Sequence, residues 1–189
     1  MSTTERSLPT PAHTIGPFYG HALPFPGGGD IAPQGHPDTI TLRGHVYDGA
    51  GAPVPDALLD FWQAAPDGSL TGTPGSLRRD PSTGGFLGRN GVDFTGFGRV
   101  ATDADGHYVL RTLPPGNTGQ PYIAVCVFAR GLTHHLFTRA YLADGSDPLL
   151  DALPDERRAT LIATPDAPRT YRFDIRLQGE GETVFLEFQ

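Results

Sequence analysis

The histidines, the lone cysteine, the serines and the tyrosines are the residues from which this chain could build a reactive centre. His134 and His135 are adjacent on an expected strand, where neighbours point to opposite faces and cannot grip one ion together. His13, His21, His36, His45 and His107 are scattered over loops and strand edges without ligand spacing. Cys126 lies inside an apolar run and reads as a small buried hydrophobe. The serines sit beside Gly, Pro or Asp in turns, and there is no Gly-x-Ser-x-Gly, no HExxH and no phosphate loop. Thr102-Asp103-Ala104-Asp105-Gly106 imitates the start of a calcium loop but lacks the distal Glu, and it reads instead as a hairpin turn. The chain carries no catalytic constellation of its own. One stretch remains that could meet a ligand. In Thr14-Ile15-Gly16-Pro17-Phe18-Tyr19 a Gly-Pro turn pairs with two aromatics, and Gly16 lets the backbone approach a ligand closely. A plainer role for it is an arm that packs its aromatics on the body of the protein.

The elements that must position these residues are strands. Tyr122 to Ala129 is β-branched and aromatic and carries no charge, with Ile123, Val125 and Val127 on one face and Tyr122, Ala124, Cys126 and Phe128 on the other. Both faces are apolar, so one packs on the chain's own second sheet and the other needs cover from elsewhere. Leu132 to Leu142 returns antiparallel to it. Ile40 to Tyr47, Ala57 to Trp62, Tyr108 to Thr112 and the alternation Tyr171, Phe173, Ile175, Leu177 add further strands, with Val184, Leu186 and Phe188 on a last return. Asp60, within an apolar run, needs a partner. One short helix is expected near 154–163, from Pro154 and the acids Asp155 and Glu156 in its first turn. Thr71 to Gly96 reads as a long glycine-rich loop with Arg78, Arg79 and Asp80 in solvent.

With 25 glycines and 19 prolines spread between short apolar runs over 189 residues, the reading is a single all-β body at 39–189 behind an N-terminal arm at 1–38. A formal net charge of −7 argues against nucleic acid and anionic membrane surfaces as partners. One cysteine cannot form an internal disulfide, and Met1 to Arg6 leads into no apolar segment, so a cytoplasmic protein is expected. No apolar run approaches the ~20 residues of a membrane span.

Leu42-x-Gly44-x-Val46, Gly51, Val54, Leu59-Asp60-Phe61 and Gly68 resemble, at matching spacing, the signature of the intradiol ring-cleavage dioxygenases. TDADGHYVLRTLPPG at 102–116 and YRFDIRLQGEGETVFLEF at 171–188 resemble two later segments of that family. The resemblance implies an antiparallel β-sandwich. Active members hold Fe(III) with two tyrosinates and two histidines, the latter as His-x-His on the central strand. The positions here that match these ligands are Leu70, Thr118, Tyr122 and Ala124, and no His-x-His occurs in the chain. Phe128-Ala129-Arg130-Gly131 and Gln178 to Thr183 are most similar to the family's alpha-subunit branch. That branch implies an Fe(III) bound by a homologous beta subunit and not by this chain, with protocatechuate and O2 as substrates. It also implies that Thr14, Gly16, Pro17, Phe18 and Arg130 wall the partner's active site; the family often has Tyr where this chain has Phe18. Two other readings compete: a self-sufficient dioxygenase with its ligands elsewhere, and a transthyretin-like binding module without enzymatic role.

Overall fold

In a computed structural model that describes residues 16, 18–73, 76–116 and 119–187, the alternating segments resolve into strands. They are β1 (Ile40–Tyr47), β2 (Leu58–Trp62), β3 (Leu77–Arg79), β4 (Phe86–Arg89), β5 (Phe97–Ala101) and β6 (His107–Thr112). After these come β7 (Tyr122–Phe128), β8 (Leu136–Tyr141), β9 (Thr164–Ala167), β10 (Thr170–Arg172) and β11 (Ile175–Arg176). One sheet runs β5-β2-β7-β8, antiparallel throughout. The other is built on β1, with β6 antiparallel on one side, β10 and β11 parallel on the other, and β9 antiparallel outside β10. Side chains from both close the core: Leu42 and Val46 of β1, Leu59 and Phe61 of β2, Leu110 of β6, and Ile123, Val125 and Val127 of β7 are essentially without solvent contact. This is the two-layer sandwich that period-two alternation demands.

Strand β7 behaves as its two apolar faces require. Ile123, Val125 and Val127 enter the core, while Tyr122, Ala124, Cys126 and Phe128 are only half-covered on the far side. Asp60 finds its partner on that face, where Arg99 of β5 meets it with Nε–Oδ1 and Nη2–Oδ2 bonds of 2.7 Å each.

Several local readings need correction. The Asp103–Gly106 turn does not close a hairpin; β5 pairs with β2 and β6 with β1, so the turn carries the chain from one sheet to the other. Asp103 holds it by accepting from the N–H groups of Asp105 and His107. The 71–96 stretch contains the β3–β4 hairpin, with Arg78 and Arg79 exposed and Asp80 partly covered. Arg89 ties this hairpin down, donating to the carbonyls of Gly27, Gly28 and Phe97 and to the Thr95 hydroxyl. Burial lowers its pKa to about 10. The expected helix is α3 (Asp155–Ala159), but two single-turn helices, α1 (Tyr19–Ala22) and α2 (Pro148–Asp151), precede it. They are too short to show a helical period; α2 is set by Asp147, whose carboxylate accepts from the Leu149 N–H.

His134 and His135 precede β8 instead of lying on it, so strand alternation does not apply to them. His134 Nδ1 bonds the His135 carbonyl, and His135 packs on Phe128 and Phe137. The C-terminal return is a single bridge, Leu186 to Phe137. Beside it the Val184 N–H bonds Thr160 Oγ1, and the Val184 carbonyl accepts from the Thr138 hydroxyl. Phe188 lies outside the described residues. In the N-terminal stretch, Ile31 enters the sandwich core, while Tyr19 is buried against Phe128 and Phe25 against Phe86. No helix among the described residues is long and apolar enough to cross a membrane.

Candidate functional site

Where β7 ends, Ala129 is still buried and the chain turns sharply; the Leu132 N–H returns to the Ala129 carbonyl over 3.2 Å. Gly131 takes φ +91°, a conformation that favours glycine. Arg130 is therefore thrown outward, and its side chain is 69% exposed. Its Nε donates to Asp56 Oδ2 over 2.6 Å, and one Nη pairs with the same oxygen. The Asp56 carbonyl in turn accepts from the Tyr19 hydroxyl over 2.9 Å. Tyr19 opens α1 and packs its ring 6.4 Å from that of Phe128, centre to centre. Burial, and then the Asp56 charge, push the Tyr19 phenol above its ordinary pKa, so it stays a neutral donor.

Asp56 thus joins the N-terminal arm to the Arg130 corner. Immediately before Tyr19, Phe18 is 80% exposed, and Gly16 takes φ +77° with open space where a Cβ would be. Of the five candidate residues, Gly16 and Phe18 lie just before Tyr19 in the chain, and Tyr19 and Arg130 both bond Asp56. Thr14 and Pro17 lie outside the described residues. Arg130 also lines a groove of about 1060 Å³ whose other walls include His134, His135, Leu177 and Leu186. Sequence reading missed Tyr19 and Asp56 as the pieces that fix this corner. The available signal was slight: a carboxylate ending the proline-rich turn before β2, and an aromatic beside the Gly-Pro pair.

The positions matching the family's iron ligands lie elsewhere. Tyr122 and Ala124 are on the far face of β7. The Arg139 guanidinium covers the Tyr122 ring at 4.1 Å and donates to the Tyr141 hydroxyl over 3.2 Å. That hydroxyl donates to Asp147 Oδ1 over 3.0 Å. Desolvation foremost raises the Tyr141 pKa. Ala124 has no donor atom, and Leu70 is an exposed aliphatic chain. Thr118 lies outside the described residues. No group of three or more His, Cys, Asp or Glu among the described residues is placed to hold a metal ion. A hard trivalent ion needs anionic oxygen and imidazole donors, and a set containing Leu70 and Ala124 does not fit it. Next along the strand, the Cys126 thiol is pushed up to about 12, by burial first and then by the neighbouring Asp60 charge.

Comparison with known proteins agrees with this geometry. The family model Dioxygenase_C, described as "Dioxygenase", matches residues 16–128. The dioxygenase domain of a dioxygenase carbohydrate-binding fusion from Streptomyces sp. SirexAA-E superposes with a TM-score of 0.55 at 27% identity, covering 79% of this chain and 86% of that one. This chain belongs to the intradiol dioxygenase family, whose members are iron enzymes. Within it, the chain is 39% identical to the protocatechuate 3,4-dioxygenase alpha chain of Burkholderia cepacia, over 94% of its own length and 96% of the relative's. The beta chain of the same enzyme from that organism is 28% identical, over 77% of this chain and 67% of the relative.

Proposed function

We propose that this chain is the alpha subunit of a protocatechuate 3,4-dioxygenase, with Fe(III) held entirely by a homologous beta subunit. The assembled enzyme would join protocatechuate and O2 into 3-carboxy-cis,cis-muconate by opening the ring. The observation that carries this reading is the presence of Leu70 and Ala124 at ligand positions, in a chain otherwise so similar to an alpha chain. When bound to the partner, the ion supplies the activation of the catecholate ring toward O2.

This chain's own contribution would be to bind and orient. Residues 1–38 would form an arm reaching the partner's cleft from a body at 39–189. Thr14, Gly16, Pro17, Phe18 and Arg130 would wall that cleft. Protocatechuate carries a ring carboxylate remote from its two hydroxyls. A planar guanidinium meets a carboxylate with paired, charge-assisted hydrogen bonds. Arg130 has five N–H donors, and Asp56 engages only its Nε and one Nη. Asp56 therefore holds the side chain in place while leaving donors for a second acid. Phe18 would offer a flat apolar face to the ring and, lacking a hydroxyl, no hydrogen bond. A cytoplasmic site of action fits a single free cysteine.

Co-expression tests the reading. Protocatechuate turnover should require both chains and vanish when either is omitted. Stoichiometric turnover by this chain alone would overturn it.

A further inference from the structure

The outward face of the β1 sheet carries two histidines that the proposed function does not use. His45 of β1 stands directly opposite His107 of β6. The neighbouring pair, Val46 and Gly106, exchanges the ladder bond Val46 N–H to Gly106 O at 2.9 Å. His45 and His107 are therefore a non-hydrogen-bonded pair, the kind in which cross-strand side chains approach closest. Their ring centres are 5.0 Å apart.

Each ring has a carboxylate behind it. His45 Nδ1 lies 3.8 Å from Asp174 Oδ1, and His107 Nδ1 lies 3.7 Å from Asp103 Oδ2. Both carboxylates are held by the backbone: Asp174 accepts from the His45 N–H, and Asp103 from the His107 N–H. Gly44 is what lets Asp174 reach this place. A Cβ at Gly44 would overlap the Phe173 carbonyl, so glycine is what lets the 173–174 backbone lie this close to β1 between β10 and β11. His45 Nδ1 is itself buried without a hydrogen-bond partner. An orphaned imidazole nitrogen beside a fixed carboxylate is what an incompletely assembled ligand looks like. When Nδ1 bears the proton and faces a carboxylate, Nε2 keeps its lone pair for a metal.

We propose that His45 and His107 form a two-imidazole site for a divalent late first-row transition ion. Cu²⁺ should bind more tightly than Ni²⁺ or Zn²⁺, as imidazole ligands and the usual metal series require. The separation suits it. An ion about 2.1 Å from each ring nitrogen sits about 3.2 Å from each ring centre; the right angle usual for Cu²⁺ or Ni²⁺ then sets the centres about 4.5 Å apart and the tetrahedral angle of Zn²⁺ about 5.2 Å, and the observed separation lies between them. Water completes the coordination from a surface pocket of about 160 Å³ bordered by both histidines. The pocket's two arginines, Arg43 and Arg172, are each paired with a carboxylate, Asp166 and Asp174. They add no uncompensated positive charge.

The test is titration of the full chain, alone or with its partner, with Cu²⁺, Ni²⁺ and Zn²⁺. The parent should bind one ion of each saturably, and His45→Gln or His107→Gln should weaken Ni²⁺ at least tenfold. Asp103→Asn, which removes only the carboxylate behind His107, should weaken it about tenfold as outer-shell losses do. His36→Ala and His134→Ala should leave it unchanged. Pulsed EPR of the Cu²⁺-loaded parent should count two imidazole nitrogens, a readout that needs no variant to fold. The proposal is overturned by the absence of saturable binding, by binding that survives in His45→Gln/His107→Gln, or by a Cu²⁺ spectrum with one imidazole or none.

Discussion

Arg130 already holds one acid, Asp56, and the proposed role asks it to receive a second. The two demands can be separated by substrate. In the assembled enzyme, Arg130→Ala should lower kcat/KM for protocatechuate by about 10- to 150-fold, the worth of a charged hydrogen bond. Catechol, which lacks the carboxylate, should be nearly unaffected, and assembly should persist. Equal loss on both substrates, or dissociation of the chains, would make Arg130 a structural residue that only fastens the corner through Asp56. How far single residues could be read depended on whether their partners were local. Asp60 announced a need for a partner because a lone carboxylate in an apolar run is costly, and Arg99 supplies it. The partner of Arg130 was not legible. Asp56 comes from 74 residues earlier, and only the fold places it there.

At the scale of elements, β7 organises the core and carries two of the positions that match the family's iron ligands, Tyr122 and Ala124. Its alternation was fully readable, and the half-covered face bearing Tyr122, Ala124, Cys126 and Phe128 followed from it. Cys126 reports on that face. Its thiol pKa, about 12 against an ordinary 9.0, leaves a thiolate fraction near neutrality roughly 10³-fold below that of a free thiol. Disulfide reagents should label it that much more slowly in the folded chain, with a rate that climbs with pH toward the folded pKa. Because the folded pKa is raised, the associated stability is fully present below the unfolded value and is lost as pH rises from about 9 toward 12. Labelling as fast as that of a free thiol would show the face to be open. Elements without a period were the ones that escaped reading. The turns α1 and α2 are four residues each, and the β3–β4 hairpin is anchored by Arg89 on carbonyls about 60 residues away. The 103–106 turn looked like a hairpin because local turn chemistry is the same whether the next strand joins its neighbour or crosses to the other sheet.

For the whole molecule, the outer face of the β5-β2-β7-β8 sheet is the feature that asks for a second chain. Trp62 is 41% exposed on it, opposite Ala124, and Tyr122 and Phe128 are half-covered at the two ends of β7. An obligate cover of this face by a second chain would bury on the order of 2,000 Å² or more. Alone, the chain should self-associate or aggregate at tens of micromolar, roughly the range in which mass action between copies begins to tell. A monodisperse monomer by light scattering would contradict that. The family was legible because Gly44, Val46, Gly51, Asp60 and Gly68 stand at the spacing of its signature. Leu70 and Ala124 at the matching ligand positions were equally legible, because a metal site is a matter of residue type before it is one of geometry. The central claim is that this chain gives iron nothing to hold. Metal analysis of the complex purified with its beta subunit tests it most directly. A single iron for each pair of chains, unchanged when Tyr122→Phe is introduced here, is the expected result; two irons per pair, or loss of iron on that substitution, would contradict it.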